Sequence, residues 1–448
     1  MKKLLLGAVA SAALFAGAAN AVITPALPTV GVYTITQSGA SASQPYFERY
    51  LTGAGVPLPS RLCAGAITKH IDSTVPNQFA YSCVANKVGN PTLAAAMGVN
   101  TVLLVKKRTA GGSGWGVGPV AIDATIPFLG GSAKPDFGLS DLAPSFFTAA
   151  NPYNVDATIL GLPTTSAIIA SNLTVLPVAR QMFGVVLSTA FRDALQNAQF
   201  AAAVCKLAGS GVNGRESLAC MPNLTVAQIT QLIKRGGTTL AGGTIANGTV
   251  HTCGRTDGSG TKAVTAQKIC EVAGNTPVLS ACQGIAAPYL AANTPVSPST
   301  ITRAGGRYHE MASASGVAEC LSELNQGVNI GTSTAFTMSG LPAWAIGYQS
   351  TDNNAFVVAP GAGTTGQYRF IKVGGVAPTL VNAAAATYTD VGLSSCQYNK
   401  TAAAAVHLPP AKKALITQIC AGMKNVLVIN AVNPLVAKHT WGQAGFLP

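Results

Sequence analysis

Short apolar runs typical of β-strands alternate along this chain with segments of helical periodicity, and loops of small residues join them. Gly31 to Thr36, Thr101 to Lys106 and Gly184 to Leu187 are predicted strands. Residues 225–235 (TVAQITQLIKR) predict a helix with a capping box at its start. This alternation favours an α/β fold. At 448 residues the chain is long enough for about two to three domains.

The first residues predict export. Lys2 and Lys3 precede an apolar stretch over residues 4–18, and Ala19-Asn20-Ala21 has the small-x-small pattern of a signal-peptidase site. We therefore expect residues 1–21 to be a signal peptide. The remaining chain is expected in the periplasm, outside the cell or on the cell surface.

Ten cysteines fit an exported chain, because an even number in an oxidising compartment indicates disulfides. A zinc site needs closer Cys or His spacing than any found here, so no metal site is expected. Three pairs are close in sequence and are the most plausible bonds: Cys63–Cys83, Cys205–Cys220 and Cys396–Cys420. The pairing of four others stays open: Cys253, Cys270, Cys282 and Cys320.

The charge composition narrows the functional classes. Charged residues make up 10% of the chain and apolar residues 48%, which excludes a disordered protein. The net charge of +13 suits attraction of small anions or adhesion to an anionic surface. No Arg-rich tract with interleaved aromatics is present, so nucleic-acid binding is not expected. No G-x-S-x-G motif, paired catalytic acids or His/Asp metal cluster is visible, so we expect neither an enzyme nor a cofactor.

Residues 255–261 (RTDGSGT) form the most informative loop, because they lie between a predicted strand and a predicted helix at about residues 262–272. A glycine loop that opens a helix presents backbone N–H groups to an anion. Ser259 and Thr261 add hydroxyl donors, and Arg255 adds a fork suited to two oxygens of an oxyanion. Asp257 could hold Arg255 in place. The alternative is a plain Gly/Ser turn with surface charges.

Two further loops have the same small, hydroxyl-rich character. One covers residues 37–44 (QSGASASQ) between a strand and a helix, and the other covers residues 111–116 (GGSGWG). Residues 136–141 (DFGLSD) read as an apolar strand end that carries an acid, Asp141. Each of these segments, taken alone, is more often a turn than a binding site.

The order of these motifs resembles a known family. Residues 39–45 are similar to its G-A-G-A-T-F-P loop, with Ser43 and Gln44 in place of the threonine and the aromatic residue. Residues 136–141 are similar to its D-F-G-A-S-D motif, and residues 255–261 match its R-x-D-G-S-G-T loop at every fixed position. The family is that of the periplasmic phosphate-binding proteins of ABC transporters, within the type II periplasmic binding-protein fold. The similar segments run from about Gly39 to Pro378, with a long intervening segment at about residues 52–134.

The resemblance implies two α/β lobes with a ligand cleft between them. Residues 22–181 would begin lobe 1, residues 182–344 would form lobe 2, and residues 345–448 would supply the crossover and the rest of lobe 1. The family's ligand-binding residues carry over to eight positions: Ser43, Gln44, Ser113, Asp141, Arg255, Ser259, Gly260 and Thr261. The implied function is capture of inorganic phosphate, or a related oxyanion, by a monomer that delivers it to an ABC permease.

If the resemblance holds, Asp141 makes the site selective among oxyanions. A carboxylate repels an anion unless the ligand donates a proton to it, as monohydrogen phosphate can and fully deprotonated sulfate cannot. Two other classes remain open at this stage. One is a secreted surface or structural protein that reuses the fold, and the other is an exported phosphatase.

Overall fold

The computed structural model describes the greater part of the chain, from residue 23 to residue 447. The described ranges are 23–41, 43–53, 61–75, 77–148, 166–200, 205, 214–240, 243–246, 249–256, 258–270, 300–301, 308–331, 337–338, 342–351, 366–424 and 446–447. The predicted signal peptide at residues 1–21 lies outside them. Within these ranges, no helix has the length and the apolar character to cross a bilayer.

Helices and strands alternate through the described chain. Its α-helices are α1 (Gln44–Thr52), α2 (Pro91–Met97), α3 (Gly112–Ala121), α4 (Ser166–Asn172), α5 (Thr189–Gln199), α6 (Val226–Arg235), α7 (Gly260–Thr265), α8 (Ala314–Gln326), α9 (Leu380–Ala384) and α10 (Pro410–Met423). Its longer strands are β1 (Val32–Gly39), β2 (Thr68–Ile71), β3 (Gln78–Val84), β4 (Val102–Arg108), β5 (Ile126–Phe128), β6 (Gly131–Ala133), β7 (Phe137–Ser140) and β8 (Leu173–Ser188). The later strands are β9 (Asn223–Leu224), β10 (Thr238–Leu240), β11 (Gly243–Ile245), β12 (Val250–Arg255), β13 (Thr300–Ile301), β14 (Tyr308–Met311), β15 (Thr337–Met338), β16 (Trp344–Ser350), β17 (Tyr368–Phe370), β18 (Lys372–Val373), β19 (Val391–Asn399) and β20 (Phe446–Leu447).

Twelve strands of the described chain form one mixed sheet, in the order β14-β12-β16-β8-β19-β7-β1-β4-β3-β2, with β17 and β20 also paired to β8. Strand β1 lies parallel to β4 and β7. Strand β12 lies parallel to β14 and β16. The sheet therefore contains two groups of parallel strands, one on each side of β8 and β19. The predicted α/β class is confirmed.

The long strand β8 connects the two groups. Its residues 173–182 pair antiparallel with β19, and its residues 183–187 pair antiparallel with β16. Apolar side chains form two main cores. The first core includes Ile35, Phe47 and Phe137, and the second includes Phe183, Phe191 and Ile346, into which Val117 and Val120 of α3 also pack. We call the part of the molecule that contains β1, β4, β7 and α3 the first half, and the part that contains β12, β14 and β16 the second half.

The helix predicted at residues 225–235 is confirmed as α6. Thr225 accepts a hydrogen bond from the Gln228 backbone N–H at 3.2 Å, and the Gln228 side chain accepts one from Thr225 N–H at 2.9 Å. The helix predicted after the RTDGSGT loop begins two residues earlier than expected, at Gly260, because Ser259 caps it. Beyond Thr265 it continues as a wider turn through Ala266–Cys270.

The glycine-rich segment at residues 111–116 was expected to be a loop, and this prediction is wrong. Helix α3 begins at Gly112 and all of its residues are buried. A Cβ at Gly116 would lie 3.1 Å from Gly39 Cα, so glycine lets the helix approach β1 closely. Burial in this tight contact outweighs the low helix propensity of glycine.

The three short-range disulfides predicted from the sequence are confirmed: Cys63–Cys83, Cys205–Cys220 and Cys396–Cys420. Of the four cysteines left open, Cys253 bonds to Cys320 and thereby attaches α8 to β12. Cys282 lies outside the described residues. The bonds are consistent with an oxidising compartment.

Candidate functional site

The candidate site lies where the parallel strands of the two groups end. Strands β1, β4 and β7 end at Gly39, Arg108 and Ser140, and β12 ends at Arg255. The four segments singled out in the sequence lie at these strand ends. Residues 37–44 and 255–261 begin in the last residues of β1 and β12, residues 136–141 contain β7, and residues 111–116 form the start of α3 after β4. In open α/β sheets this edge is where ligands bind.

Ser113, Asp141 and Gly260 meet at this edge. Ser113 Oγ donates to Asp141 Oδ2 at 3.1 Å and accepts from Asp141 N–H at 3.0 Å. A Cβ placed on Gly260 would collide with both Ser113 Oγ and the Asp141 carboxylate. The first turn of α7, in the second half, is therefore packed directly against two polar side chains of the first half.

A backbone contact joins the same two loops. Gly114 N–H donates to Gly258 O at 2.8 Å. A Cβ at Gly112 would lie 2.8 Å from Ser259 Cα, and Gly112 has a φ of +65°, which favours glycine. Glycine on each side thus permits the contact between α3 and the RTDGSGT loop.

The Arg255 side chain is buried at the end of β12 and donates hydrogen bonds to two backbone carbonyls. Its Nε donates to Met311 O at 3.1 Å and its Nη2 donates to Ala312 O at 3.0 Å. Burial lowers the pKa of Arg255 to about 10, and the nearby Asp141 carboxylate partly opposes this. The guanidinium therefore stays charged at neutral pH. Asp257, which could hold Arg255 according to the sequence, lies outside the described residues.

Ser43 and Gln44 lie at the start of α1, and their side chains have partners within the first half. Ser43 Oγ donates to Ala40 O at 2.9 Å, and Gln44 Nε2 donates to Glu48 Oε1 at 2.8 Å. The backbone before them approaches the acidic strand end, since Ala40 N–H donates to Leu139 O at 2.9 Å. The first loop thus lies beside Asp141, with Ser43 and Gln44 engaged locally rather than with Arg255 or Ser113.

Ser259 and Thr261 are both buried in the RTDGSGT loop. Ser259 Oγ accepts from Lys262 N–H at 3.4 Å and caps α7. This capping role still leaves the Ser259 hydroxyl proton as a donor. Thr261 O accepts from Thr265 Oγ1 at 2.8 Å.

The sequence reasoning missed a buried lysine next to this site. Lys107, on β4, is fully buried, and its Nζ donates to Gln37 Oε1 at 2.5 Å. Burial lowers the pKa of Lys107 to about 7, while Glu48 and Asp141 raise it. Period-2 alternation along β4 was the available signal, because Leu103, Val105 and Lys107 share one face.

The arrangement offers an oxyanion both charged and neutral hydrogen-bond partners in a buried place. Arg255 supplies a cation, Ser113 and Ser259 supply hydroxyls, and Asp141 supplies an acceptor. Among the described residues, no group of three or more His, Cys, Asp or Glu side chains is placed to hold a metal ion. Side chains of these kinds can recognise an anion through hydrogen bonds.

Comparison with known proteins gives similarity at the level of structure. No family model matches the chain, and no curated protein matches its sequence. A substrate-binding protein of a phosphate ABC transporter from Clostridium perfringens, solved with bound phosphate, is 12% identical with a TM-score of 0.42, over 89% of this chain and 98% of that chain.

Two further solved structures are similar. The ABC-type phosphate transport receptor from Vibrio cholerae is 12% identical with a TM-score of 0.38, over 89% of this chain and 98% of the receptor. PstS from Borrelia burgdorferi is 10% identical with a TM-score of 0.36, over 93% of this chain and 98% of that chain. All three are proteins of the class that the motif order resembles. We base the function on the residues of this chain.

Proposed function

We propose that this chain is an exported solute-binding protein that captures inorganic phosphate, or the similar arsenate, for ABC-type uptake. The observation that carries the proposal is the meeting of Ser113, Asp141 and Gly260 beside the buried guanidinium of Arg255. Loops from both halves of the molecule contribute to this meeting point. An anion bound there would contact both halves at once.

Phosphate is favoured over other oxyanions because of Asp141. A buried carboxylate accepts hydrogen bonds and donates none while it is ionised. Monohydrogen phosphate carries a proton that it can donate to Asp141, whereas sulfate at neutral pH would place lone pairs against lone pairs. A site that requires a donated hydrogen bond can reject the analogue lacking it by about 10⁴ or more.

The proposed ligand set is the eight residues expected from the sequence, with unequal roles. Arg255 and Asp141 would fix the charge and the protonation state of the ligand. Ser259 and Thr261 would add hydroxyl donors, and Ser113 would add one once its hydroxyl turns from Asp141 to the ligand. Gly260 would bring a backbone N–H close. Ser43 and Gln44 would contribute through the first loop once their local hydrogen bonds rearrange.

The wider biological setting belongs to the same proposal. A signal peptide at residues 1–21 would export the chain, and the disulfides suit the periplasm or the cell exterior. A monomer carrying phosphate would then dock on an ABC permease in the membrane. No catalytic step is assigned to the site.

The test is a ligand-binding series on the mature protein. We expect phosphate and arsenate to raise the melting temperature, and sulfate to leave it unchanged at the same concentration. By calorimetry, Arg255→Ala should weaken phosphate binding at least about tenfold, because a hydrogen bond to a charged group contributes about 1.5–3 kcal/mol. Asp141→Asn should reduce the difference in binding affinity between phosphate and sulfate.

Asp72→Asn is the matched control. Asp72 is a buried carboxylate that directly follows β2, two strands away from β4 in the sheet, and it accepts from Thr74 N–H at 2.8 Å. This variant should keep the selectivity of the wild type. Comparable phosphate and sulfate affinities in the wild type would remove Asp141 from the site and contradict phosphate as the ligand. Absence of any phosphate response would favour a surface protein, and turnover of a phosphate ester would favour a phosphatase.

A further inference from the structure

Lys107 is a lysine in the apolar core of the first half. It lies on the same face of β4 as Leu103 and Val105, both of which belong to that core. Its side chain is fully buried, and its Nζ lies 5.1 Å from the centroid of the Phe47 ring. Lysine is almost never fully buried without a charged partner, so its position calls for an explanation.

The hydrogen bonds of Lys107 connect it to the first loop. Lys107 faces Gln37 across the parallel β1–β4 pair, and its Nζ donates to Gln37 Oε1 at 2.5 Å. Gln37 Nε2 in turn donates to Ser38 O at 2.5 Å. Ser38 and Gly39 lead directly into the loop before α1. A change in the charge of Lys107 would therefore affect the backbone of that loop through the Gln37 side chain.

Two carboxylates act on Lys107, and each already has other partners. Glu48 of α1 contacts the Tyr81 hydroxyl of β3 and lies 3.7 Å from Lys69 Nζ of β2. Asp141, after β7, is bonded to Ser113 and acts on Arg255 of β12. Burial opposes the charged form of Lys107, whereas both carboxylates favour it. Lys107 is thus poised to gain or lose a proton near neutral pH.

The charges at the proposed site explain why a second cation is useful. Arg255 and Asp141 carry opposite charges, so together they do not offset a doubly charged ligand. Transferring a dianion from water into a buried site has a high cost in free energy unless opposite charge compensates it. Lys107 is the other buried cation on which Asp141 acts, within the part of the chain that the structure describes.

We propose that Lys107 is the second cation of the anion site and that it takes up a proton when a doubly charged oxyanion binds, which rests on the proposed phosphate-binding function. The bound dianion adds a nearby negative charge and so raises the pKa of Lys107 above its value of about 7 in the free protein. Binding is then linked to proton uptake. The ammonium also keeps its hydrogen bond to Gln37 and so stabilises the first loop.

The test is calorimetry at pH 8.5, where phosphate is already a dianion and brings no proton equilibrium of its own. Titrations in two buffers with different ionisation enthalpies give the number of protons taken up. We expect net proton uptake on phosphate binding in the wild type and close to none in Lys107→Met. Lys107→Met should also bind phosphate about tenfold or more weakly at pH 7.

Lys106→Met is the matched control. Lys106 is the neighbouring residue on the opposite face of β4, and its Nζ lies near Gly130 rather than near Gln37. This variant should keep both the affinity and the proton uptake of the wild type. Lys107→Arg separates the need for a positive charge from the need for a proton to be taken up, because arginine stays protonated. This variant should bind phosphate without proton uptake.

Side-chain NMR of the wild type covers the case in which Lys107→Met fails to fold. The Lys107 signal should titrate near pH 7 in the free protein and at higher pH with phosphate. Unchanged proton uptake in a folded Lys107→Met, or a Lys107 titration that phosphate does not move, would overturn the role of Lys107 and leave the proposed function intact. A wild type that does not bind phosphate would instead overturn the proposed function, and this role with it.

Discussion

Gly260 is one of the residues at which the two halves of the molecule are in close contact in the candidate site. Its missing side chain leaves room for Ser113 Oγ and for the Asp141 carboxylate. The backbone N–H of a residue in the first turn of a helix has no partner within the helix. A glycine at this position can therefore bring a backbone donor beside a buried acid, which no larger residue could do without displacing one of them.

We predict that Gly260→Ala damages the site more than the fold. The added Cβ would collide with Ser113 and Asp141, so α7 must shift away, at a cost of about 1–3 kcal/mol in the free energy of unfolding. Phosphate affinity should fall by about tenfold or more, because the donors on α7 move away from Asp141. Denaturant unfolding and calorimetry measure the two effects.

Gly65→Ala is the control for this substitution. A Cβ at Gly65 meets nothing within 4 Å, so neither stability nor affinity should change much. If Gly260→Ala bound phosphate as well as Gly65→Ala does, Gly260 would not be part of the ligand site.

At the level of residues, the sequence singles out side chains that stand in a distinctive local pattern. Arg255 and Asp141 were singled out because each closes a strand and is embedded in a recognisable motif. Alternation along β4 places Lys107 on an apolar face, but its burial depends on Phe47, Gln37 and Glu48, which are distant in sequence. Only the tertiary structure brings these residues together.

At the scale of single elements, the start of β19 contains a buried acid between the two halves. Asp390 O accepts from Phe183 N–H of β8 at 2.8 Å, and Tyr388 Oη donates to Phe183 O at 2.7 Å. Burial raises the pKa of Asp390 to about 6, although Lys268 and the hydroxyls of Tyr348 and Tyr388 oppose this. The acid therefore titrates in a mildly acidic range, at the point where β19 joins β8.

We predict that Asp390 makes the protein less stable as the pH rises from about 4 to about 6. In that range the folded state holds a proton on Asp390 that the unfolded state, with a pKa near 3.8, has lost. The free energy of unfolding therefore decreases with pH and levels off above about pH 6. Asp390→Asn should remove this penalty and stabilise the protein at pH 7.5 by about 1–3 kcal/mol.

Denaturant unfolding of both proteins at pH 4.5 and pH 7.5 checks the prediction. The stability advantage of Asp390→Asn should be large at the higher pH and small at the lower one. An advantage of the same size at both values would show that titration of Asp390 is not its cause.

Elements with strong local signals were predicted well. Helix α6 has a capping box and an apolar stripe, and it was found within one residue of its start. Helix α3 was missed, because four glycines and Pro119 give it no helical signal, and contact with β1 and β7 decides its conformation. Local sequence cannot report a contact of that kind.

At the scale of the whole molecule, the site lies between two halves that share few continuous elements. Strand β8 runs through both halves, since its residues 173–182 pair with β19 and its residues 183–187 pair with β16. Segments from each half meet at Gly112, Gly114 and Gly260. Two bodies joined by a few strands are suited to hinge motion. A ligand that contacts Arg255 on one side and Ser113 on the other would hold them together.

We predict that phosphate binding makes the molecule more compact. Small-angle scattering should give a smaller radius of gyration at saturating phosphate than without ligand, because closure brings the two halves together. Arg255→Ala should show no change at the same phosphate concentration. An unchanged scattering profile of the wild type, under conditions in which calorimetry shows full occupancy, would contradict closure of the two halves.

The position of β19 has a consequence for how the chain can reach its native state. This strand lies between β7 and β8, yet it follows both of them by more than 200 residues of sequence. As the chain is synthesised from its N-terminus, the edges of β7 and of the first part of β8 stay unpaired until β19 is made. Unpaired strand edges are sites of aggregation. The first half, although its strands begin early in the chain, can be completed only when β19 has been made. Holdase chaperones that protect open edges should therefore matter more for this protein than for one whose neighbouring strands follow each other.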